Sequence, residues 1–165
     1  FVDNYLDGGY HVSTVHPDLA GVLDYSGYTT ECFGKTCLQS SPLRAASKSE
    51  AASVRKGERA YYWWLWPNFM INAYDGVMDT NLVLPLGPER CRVHIDFWFT
   101  SETKAADREK SIAVAHAIQE EDIFVSEEVQ RGLQSSSYSH GRFSVAREVA
   151  GHHFHKLLVS ALRSR

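Results

Sequence analysis

The middle of the chain contains three aromatic or β-branched runs, at residues 61–71, 81–86 and 91–100. The dipeptides Asp75-Gly76 and Gly87-Pro88, which are typical of turns, separate them. In the third run, apolar residues alternate with polar or bulky ones, as expected for a strand with two different faces. These runs predict three antiparallel strands, with one face in the core and the other against a polar or ligand-binding cavity.

Two later segments have the spacing of amphipathic helices. Residues 105–133 and 144–162 each carry an apolar stripe, and we expect the second helix to pack on the sheet. Residues 1–24 predict a short helical or irregular segment, and residues 40–56 predict a surface loop. The chain is therefore predicted to be one α+β domain, an antiparallel sheet with long helices packed on it, spanning residues 1–165.

Charge and composition exclude two classes of partner. The formal net charge is −3 and the basic residues are scattered, so we expect no nucleic-acid partner. The apolar stretches are too short for a bilayer span, so we expect no membrane role. The odd set Cys32, Cys37 and Cys91 indicates free thiols in a reducing compartment, namely the cytoplasm, or the chloroplast stroma for a plant protein. No leader is visible before Phe1, and we expect the true N-terminus to lie upstream.

Two histidines near the start of the chain are candidate metal ligands. His11 and His16 follow the acids Asp3 and Asp7. Five residues along an ideal helix correspond to about 500°, so both rings face one ion only if the helix ends between them. Pro17 is consistent with such a break. Two imidazoles and a carboxylate suit ferrous iron with open positions, but ordinary hydrogen-bonded histidines have the same spacing.

The residues around this pair resemble a known family. Residues 3–11 (DNYLDGGYH), 78–88 (MDTNLVLPLGP), 129–133 (VQRGL) and 152–155 (HHFH) are similar, in matching order, to choline-oxidising members of the Rieske non-haem iron oxygenases. The resemblance implies a catalytic domain of helix-grip, START-like fold. It also implies that His11, His16 and Asp122 bind Fe(2+). Without it, Asp122 would be interpreted as part of a solvated charge run with Glu120 and Glu121.

Two departures from the family pattern affect the mechanism. The family's acid that links an iron histidine to the neighbouring subunit's Rieske cluster lies three residues before the first histidine, where this chain has Gly8. We expect Asp7 to take this role, with Asn4 as the second candidate catalytic residue. The paired Cys-x-His and Cys-x-x-His segments that bind a 2Fe-2S cluster are also not found here. We therefore expect the cluster in a separate Rieske domain, fed with electrons from NAD(P)H or ferredoxin through a reductase, in a homotrimer of the full protein.

The implied reaction is oxygen-dependent hydroxylation of a small quaternary amine, with choline to betaine aldehyde as the first choice. N-demethylation of glycine betaine, carnitine or stachydrine is one alternative. A non-catalytic ligand-binding module of the same fold is another, and a zinc hydrolase is disfavoured because no general base accompanies the histidines.

Aromatic side chains are the expected contacts for the ammonium group, because ring faces attract a cation that cannot donate hydrogen bonds. Five aromatic residues occupy six positions in residues 61–66, and alternation on a strand predicts that one parity set is core and the other lines the cavity. The predicted substrate-binding residues are Trp64, Trp66, Phe97 and Trp98. Asn72, Asp79, Asn81 and Asp96 are candidates for polar contacts. For the histidines of segment 152–155 we expect packing rather than metal binding.

Overall fold

The structure is a computed structural model that describes residues 1–44 and 49–164. Its strands are β1 (Thr29–Phe33), β2 (Thr36–Pro42), β3 (Lys56–Leu65), β4 (Phe69–Asp75), β5 (Val77–Gly87) and β6 (Arg90–Phe99). Its helices are α1 (Val2–Tyr5), α2 (Val12–Val15), α3 (Pro17–Ala20), α4 (Glu50–Val54), α5 (Ala105–Leu133) and α6 (Val149–Arg163), with a 3-10 turn at Tyr25–Gly27.

The six strands form one antiparallel sheet in the order of the sequence, so the predicted α+β class is confirmed. Asp75-Gly76 and Gly87-Pro88 lie at the β4–β5 and β5–β6 connections, as predicted. The predicted single strand at residues 61–71 is instead a hairpin of β3 and β4 that turns at Trp66-Pro67. Proline has no N–H for the ladder of a central strand, which is a physical reason for the break.

The helical predictions are largely correct. Helix α5 has the predicted bounds, and α6 begins five residues after the predicted start at position 144. Residues 1–24 contain three helices of one turn each, which agrees with a short helical or irregular segment. The predicted loop at residues 40–56 is partly wrong, because β2 extends to Pro42 and α4 occupies Glu50–Val54. Residues 45–48 of that predicted loop lie outside the described part of the chain.

Two apolar clusters attach the N-terminal helical segment to the sheet. Leu6 is fully buried with Trp64 and Met70, and Phe154 of α6 packs against the same cluster. Leu19 and other residues of the N-terminal segment pack with Ala60 of β3. A fully buried leucine contributes about 1.5–3 kcal/mol relative to an exposed one. This burial holds the segment that carries His11 and His16 over one face of the sheet.

The cysteine prediction is wrong for two of the three residues. Cys32 and Cys37 form a disulfide, because the β1–β2 hairpin pairs them directly across the ladder with their Cα atoms 4.1 Å apart. Cys91 is free and exposed, as expected. Sequence spacing did not reveal that a tight turn joins the two strands.

Among the helices of residues 1–44 and 49–164, none combines the length and apolar character that a bilayer crossing requires.

Candidate metal centre and adjoining cavity

His11 and His16 flank the single helical turn of α2. His11 is its N-cap residue, and His16 is both its C-cap and the N-cap of α3. The chain leaves helical geometry at His16, where φ is −118° and ψ is 72°. The predicted break is therefore present, but it falls at His16 and not between the two histidines. Pro17 then starts α3 at a position where a missing N–H costs nothing.

The two imidazoles converge with a carboxylate from a distant helix. Ligand atoms of His11, His16 and Asp122 all lie within 4.8 Å of one another. Each ring uses Nδ1 for a carboxylate partner, Asp7 for His11 and Glu121 for His16, so Nε2 of each remains for the shared centre. The Nε2 atom of His16 lies 3.1 Å from the Oδ1 atom of Asp122. The structure thus brings together the three predicted ligands, which are separated by up to 111 positions along the chain.

Asp122 is placed by α5, a rigid element of 29 residues. The residue is 8% exposed, and Asn4 of α1 donates a hydrogen bond of 2.6 Å from Nδ2 to its Oδ1. Asn4, predicted as a second catalytic residue, therefore contacts the carboxylate and orients it. A buried carboxylate with a fixed donor is the preorganised arrangement that a metal site requires.

Glu121 was missed by the sequence analysis. Its Oε2 lies 2.6 Å from Nδ1 of His16, whereas the side chain of neighbouring Glu120 is 64% exposed. Burial alone lowers the pKa of His16, but the hydrogen bonds and charges of Asp122 and Glu121 outweigh it, so its pKa is raised above the usual value. Adjacent acids on a helix point about 100° apart, and only the packing of α5 selects the one that reaches the histidine.

Asp7 holds the ring of His11. Its Oδ2 lies 2.6 Å from Nδ1 of His11, and its Oδ1 accepts a hydrogen bond from the backbone N–H of Gly9. Gly8 lies three residues before His11, at a position where the backbone does not accommodate a side chain. Its φ is +80°, and an added Cβ would lie 2.3 Å from the carbonyl oxygen of Arg147. The acid one position earlier is thus the one that the backbone allows to reach His11.

A cavity of about 100 Å³ adjoins the three ligands. Its helical wall carries Asn4, His11, His16 and Asp122, and its sheet wall carries polar and phenolic side chains, namely Tyr62, Asn72, Tyr74, Asp79 and Asn81. The volume is of the same order as the roughly 150 Å³ apolar cavity that accepts benzene. A cavity of this size suits a small molecule.

None of the four aromatic residues predicted to bind substrate lines this cavity. Trp64 is fully buried in the core, where it and Trp66 pack against Phe154 of α6. Phe97 stacks on Phe99, and Trp98 is 57% exposed. The structure thus places these four residues at packing and surface positions outside this cavity.

The prediction that alternate residues of β3 separate into one core set and one cavity set does not hold, for a physical reason. Tyr62 and Trp64 share one face of β3, yet Tyr62 lines the cavity while Trp64 lies in the core. Helix α6 covers the Trp64 end of that face, and the N-terminal segment with α5 covers the other end. Among the polar candidates, Asn72, Asp79 and Asn81 line the cavity, whereas Asp96 is exposed and does not.

The histidines near the C-terminus have ordinary partners. Nε2 of His153 lies 2.9 Å from the carbonyl oxygen of Gly34, and Nε2 of His155 lies 2.7 Å from Asp3. Within the described residues, only His11, His16 and Asp122 form a group suited to a metal ion.

The donor set fits ferrous iron. Two imidazoles and one carboxylate, each oriented by a hydrogen bond to a side chain outside the ligand set, match the facial arrangement that leaves coordination positions open on iron. The cavity beside them provides room for a small molecule at those positions.

Known proteins are similar to almost the whole of this chain. Choline monooxygenase, chloroplastic, of Arabidopsis thaliana is 43% identical over 99% of this chain and 39% of its own length. The carnitine monooxygenase oxygenase subunit of Escherichia coli K12 is 28% identical over 98% of this chain and 46% of its own. The chain thus spans about two fifths to half the length of these relatives.

A solved structure shares the fold. A quaternary ammonium Rieske monooxygenase, whose structure is described as giving insight into carnitine oxidation by gut microbiota and inter-subunit electron transfer, superposes with a TM-score of 0.83. It is 26% identical, and the match covers 96% of this chain and 45% of that one. The family model for the ring hydroxylating alpha subunit (catalytic domain) matches residues 1–164. The chain therefore belongs to the family of ring-hydroxylating alpha subunit catalytic domains.

Proposed function

We propose that this domain holds a mononuclear ferrous ion through His11, His16 and Asp122 and hydroxylates a small quaternary amine, with choline as the first substrate. The convergence of these three ligand atoms within 4.8 Å beside a small cavity carries the proposal. The names of the plant choline monooxygenases and of the carnitine monooxygenase subunit support the substrate class.

Iron bound at this site would supply the activation of dioxygen. The chain's own residues supply the geometry. Asp7 orients His11, Glu121 orients His16, and Asn4 orients Asp122, each through a hydrogen bond of 2.6 Å. Such outer partners fix ring orientation and raise ligand basicity.

For choline, the overall change adds one hydroxyl group to the carbon that already carries the alcohol. Dioxygen, two electrons and two protons give the aldehyde hydrate and water, and loss of water from the hydrate gives betaine aldehyde. The cavity wall orients the substrate and keeps bulk water away from the reacting carbon.

The electrons require a 2Fe-2S cluster that we place in a Rieske domain outside these 165 residues. In our proposal, Asp7 lies on the route from that cluster, held by a neighbouring subunit of a homotrimer, to His11. A reductase or ferredoxin would supply the electrons from NAD(P)H or reduced ferredoxin. We place the protein in the chloroplast stroma or the cytoplasm, and the chloroplastic relatives support the first.

The test joins this domain to a Rieske domain and a reductase and measures oxygen consumption with choline, glycine betaine and carnitine. Formation of betaine aldehyde from choline is the expected result. Formaldehyde released from glycine betaine or carnitine would identify an N-demethylase instead. Anaerobic reconstitution followed by iron analysis distinguishes either oxygenase from a ligand-binding module. A ligand-binding module would hold no stoichiometric iron, and His11→Ala would leave its metal content unchanged.

A further inference from the structure

The sheet wall of the cavity carries a buried carboxylate that the proposed metal site does not use. Asp79 is 6% exposed and lines the cavity. Nδ2 of Asn72 at 2.6 Å and Nδ2 of Asn81 at 3.3 Å both donate to its Oδ1. Within residues 1–44 and 49–164, no group donates to its Oδ2, and no cationic side chain lies within 4.0 Å to form an ion pair. One oxygen of this buried carboxyl group is therefore available to a ligand.

Two phenol rings share the cavity with this carboxylate. Tyr62 and Tyr74 line the same cavity, with ring centroids 6.0 Å apart, planes at 81° and hydroxyl groups 2.8 Å apart. Burial raises the pKa of both hydroxyl groups, so the rings remain neutral. Neutral ring faces attract a cation, and they suit a quaternary ammonium group because it offers no hydrogen bond.

A second polar atom on this wall lacks a partner. Oδ1 of Asn81 is buried and accepts no hydrogen bond in the described part of the chain, and the whole residue is 2% exposed. Asn81 also lines the cavity. A buried acceptor left unpaired is unfavourable unless a ligand or water approaches it. Together with the free oxygen of Asp79, it gives this wall two acceptor atoms that a cationic ligand can approach.

We propose that Asp79, with the rings of Tyr62 and Tyr74, is the subsite that binds the ammonium group of a small quaternary amine. This inference rests on the function proposed above and deepens it by assigning the orientation of the substrate. With its ammonium group on the sheet wall, the substrate presents its opposite end to the helical wall that carries His11, His16 and Asp122. For choline that end is the alcohol carbon, so this orientation favours oxidation of the alcohol over attack on an N-methyl group.

Arg55 defines the competing arrangement. Its guanidinium lies 4.6 Å from the centroid of the Tyr74 ring, and its Nε is buried with no hydrogen-bond partner among the described residues. A zwitterion could place its carboxylate there and turn its ammonium group toward the metal ligands. We favour Asp79 as the dominant contact because two asparagines fix its carboxylate, whereas the charge of Arg55 already contacts a ring.

The test measures ligand binding by calorimetry on the metal-free protein, so it does not depend on iron or turnover. The ligands are choline, tetramethylammonium and 3,3-dimethyl-1-butanol, which is the neutral isostere of choline. We expect Asp79→Asn to weaken choline and tetramethylammonium at least tenfold and to change the binding of the isostere less than twofold. The matched control is Asp96→Asn, which removes an exposed acid from the neighbouring strand β6 and should leave all three affinities within twofold.

Arg55→Gln provides a second test that does not depend on the folding of the Asp79 variant. Removing this cation from the cavity should tighten tetramethylammonium binding several-fold. An unchanged affinity in Arg55→Gln, or an equal loss for choline and the isostere in Asp79→Asn, would overturn the proposal. Glycine betaine is added as a fourth ligand for this variant. Loss of its binding in Arg55→Gln, with choline binding unaffected in Asp79→Asn, would instead establish the carboxylate arrangement.

The outcomes also separate this subsite from the proposed reaction. If tetramethylammonium binds in an Asp79-dependent manner but no substrate is oxidised by the joined protein, the subsite stands and the reaction is wrong. If choline is oxidised and its affinity is independent of Asp79, the reaction stands and the subsite is wrong.

Discussion

The Nδ1 atom of His16 lies 2.6 Å from the Oε2 atom of Glu121, which is 105 residues further along the chain. The adjacent residue, Asp122, faces the other nitrogen of the same ring. Two consecutive acids of one helix therefore hold both sides of a single imidazole, one as its positioning partner and the other as its neighbour in the proposed metal site. This relationship fixes the orientation of His16 before any ion binds.

Glu121→Gln should weaken metal binding about 10–100-fold, because an outer carboxylate fixes the ring and raises its basicity. A chelator competition titration with ferrous iron or cobalt measures the change. Glu120→Gln is the matched control, since its side chain is 64% exposed on the same helix. Equal effects of the two substitutions would show that Glu121 acts only through general surface charge.

His11→Ala and Asp122→Ala should each abolish stoichiometric iron binding, since each removes one of the three proposed ligands. Elemental analysis after anaerobic reconstitution checks this. His116→Ala removes a histidine of α5 whose side chain is 73% exposed, and it should keep the full iron content. Retention of iron in both ligand variants would rule out the assigned centre.

Asp79→Asn should raise the melting temperature by a few degrees at pH values where Asp79 of the folded protein is ionised. Burial raises the pKa of Asp79 in the folded protein, and Arg55 and the two asparagine hydrogen bonds oppose this only in part. Because a raised carboxyl pKa means that the folded state binds the proton more tightly, stability falls as the pH rises from the unfolded pKa through the folded one. The penalty is complete only above the folded pKa. The advantage of the variant should shrink as the pH is lowered through the folded pKa toward the unfolded one, which thermal denaturation across pH will show; a constant advantage would contradict this origin.

Gly8→Ala should destabilise the protein by more than Gly34→Ala. Both glycines have positive φ, +80° and +57°, so both substitutions include the backbone strain of about 1–2 kcal/mol. Only at Gly8 would the new Cβ also collide, with the carbonyl of Arg147 at 2.3 Å, whereas Gly34 has open space. Urea unfolding gives the two free energies of unfolding. Equal losses would mean that the contact with Arg147 does not constrain this position.

The disulfide should stabilise the fold by about 2 kcal/mol, since it closes a short loop between positions 32 and 37. Alkylation of the native oxidised protein should label Cys91 alone, as determined by peptide mass spectrometry. Reduction should then lower the melting temperature of the wild type and of Cys91→Ser alike. Labelling of Cys32 or Cys37 without reductant would show that the bridge is not formed.

Local sequence patterns were sufficient to predict the α+β class, the bounds of α5 and two of the turns, because periodicity and turn residues act over short distances. The family resemblance added the three proposed metal ligands His11, His16 and Asp122, which the spacing of the histidines alone left open. Local pattern failed at Trp66-Pro67, where a continuous aromatic run conceals a hairpin.

Tertiary packing determines which part of β3 lies against which helix. Tyr62 and Trp64 have the same parity, yet α6 covers one and a cavity adjoins the other. Packing also brings Glu121, rather than Glu120, against His16. It places Asp79, Asn72 and Asn81 together on one wall of the cavity. These choices depend on contacts between residues far apart in the chain, and those contacts are set by how whole elements pack rather than by any local spacing.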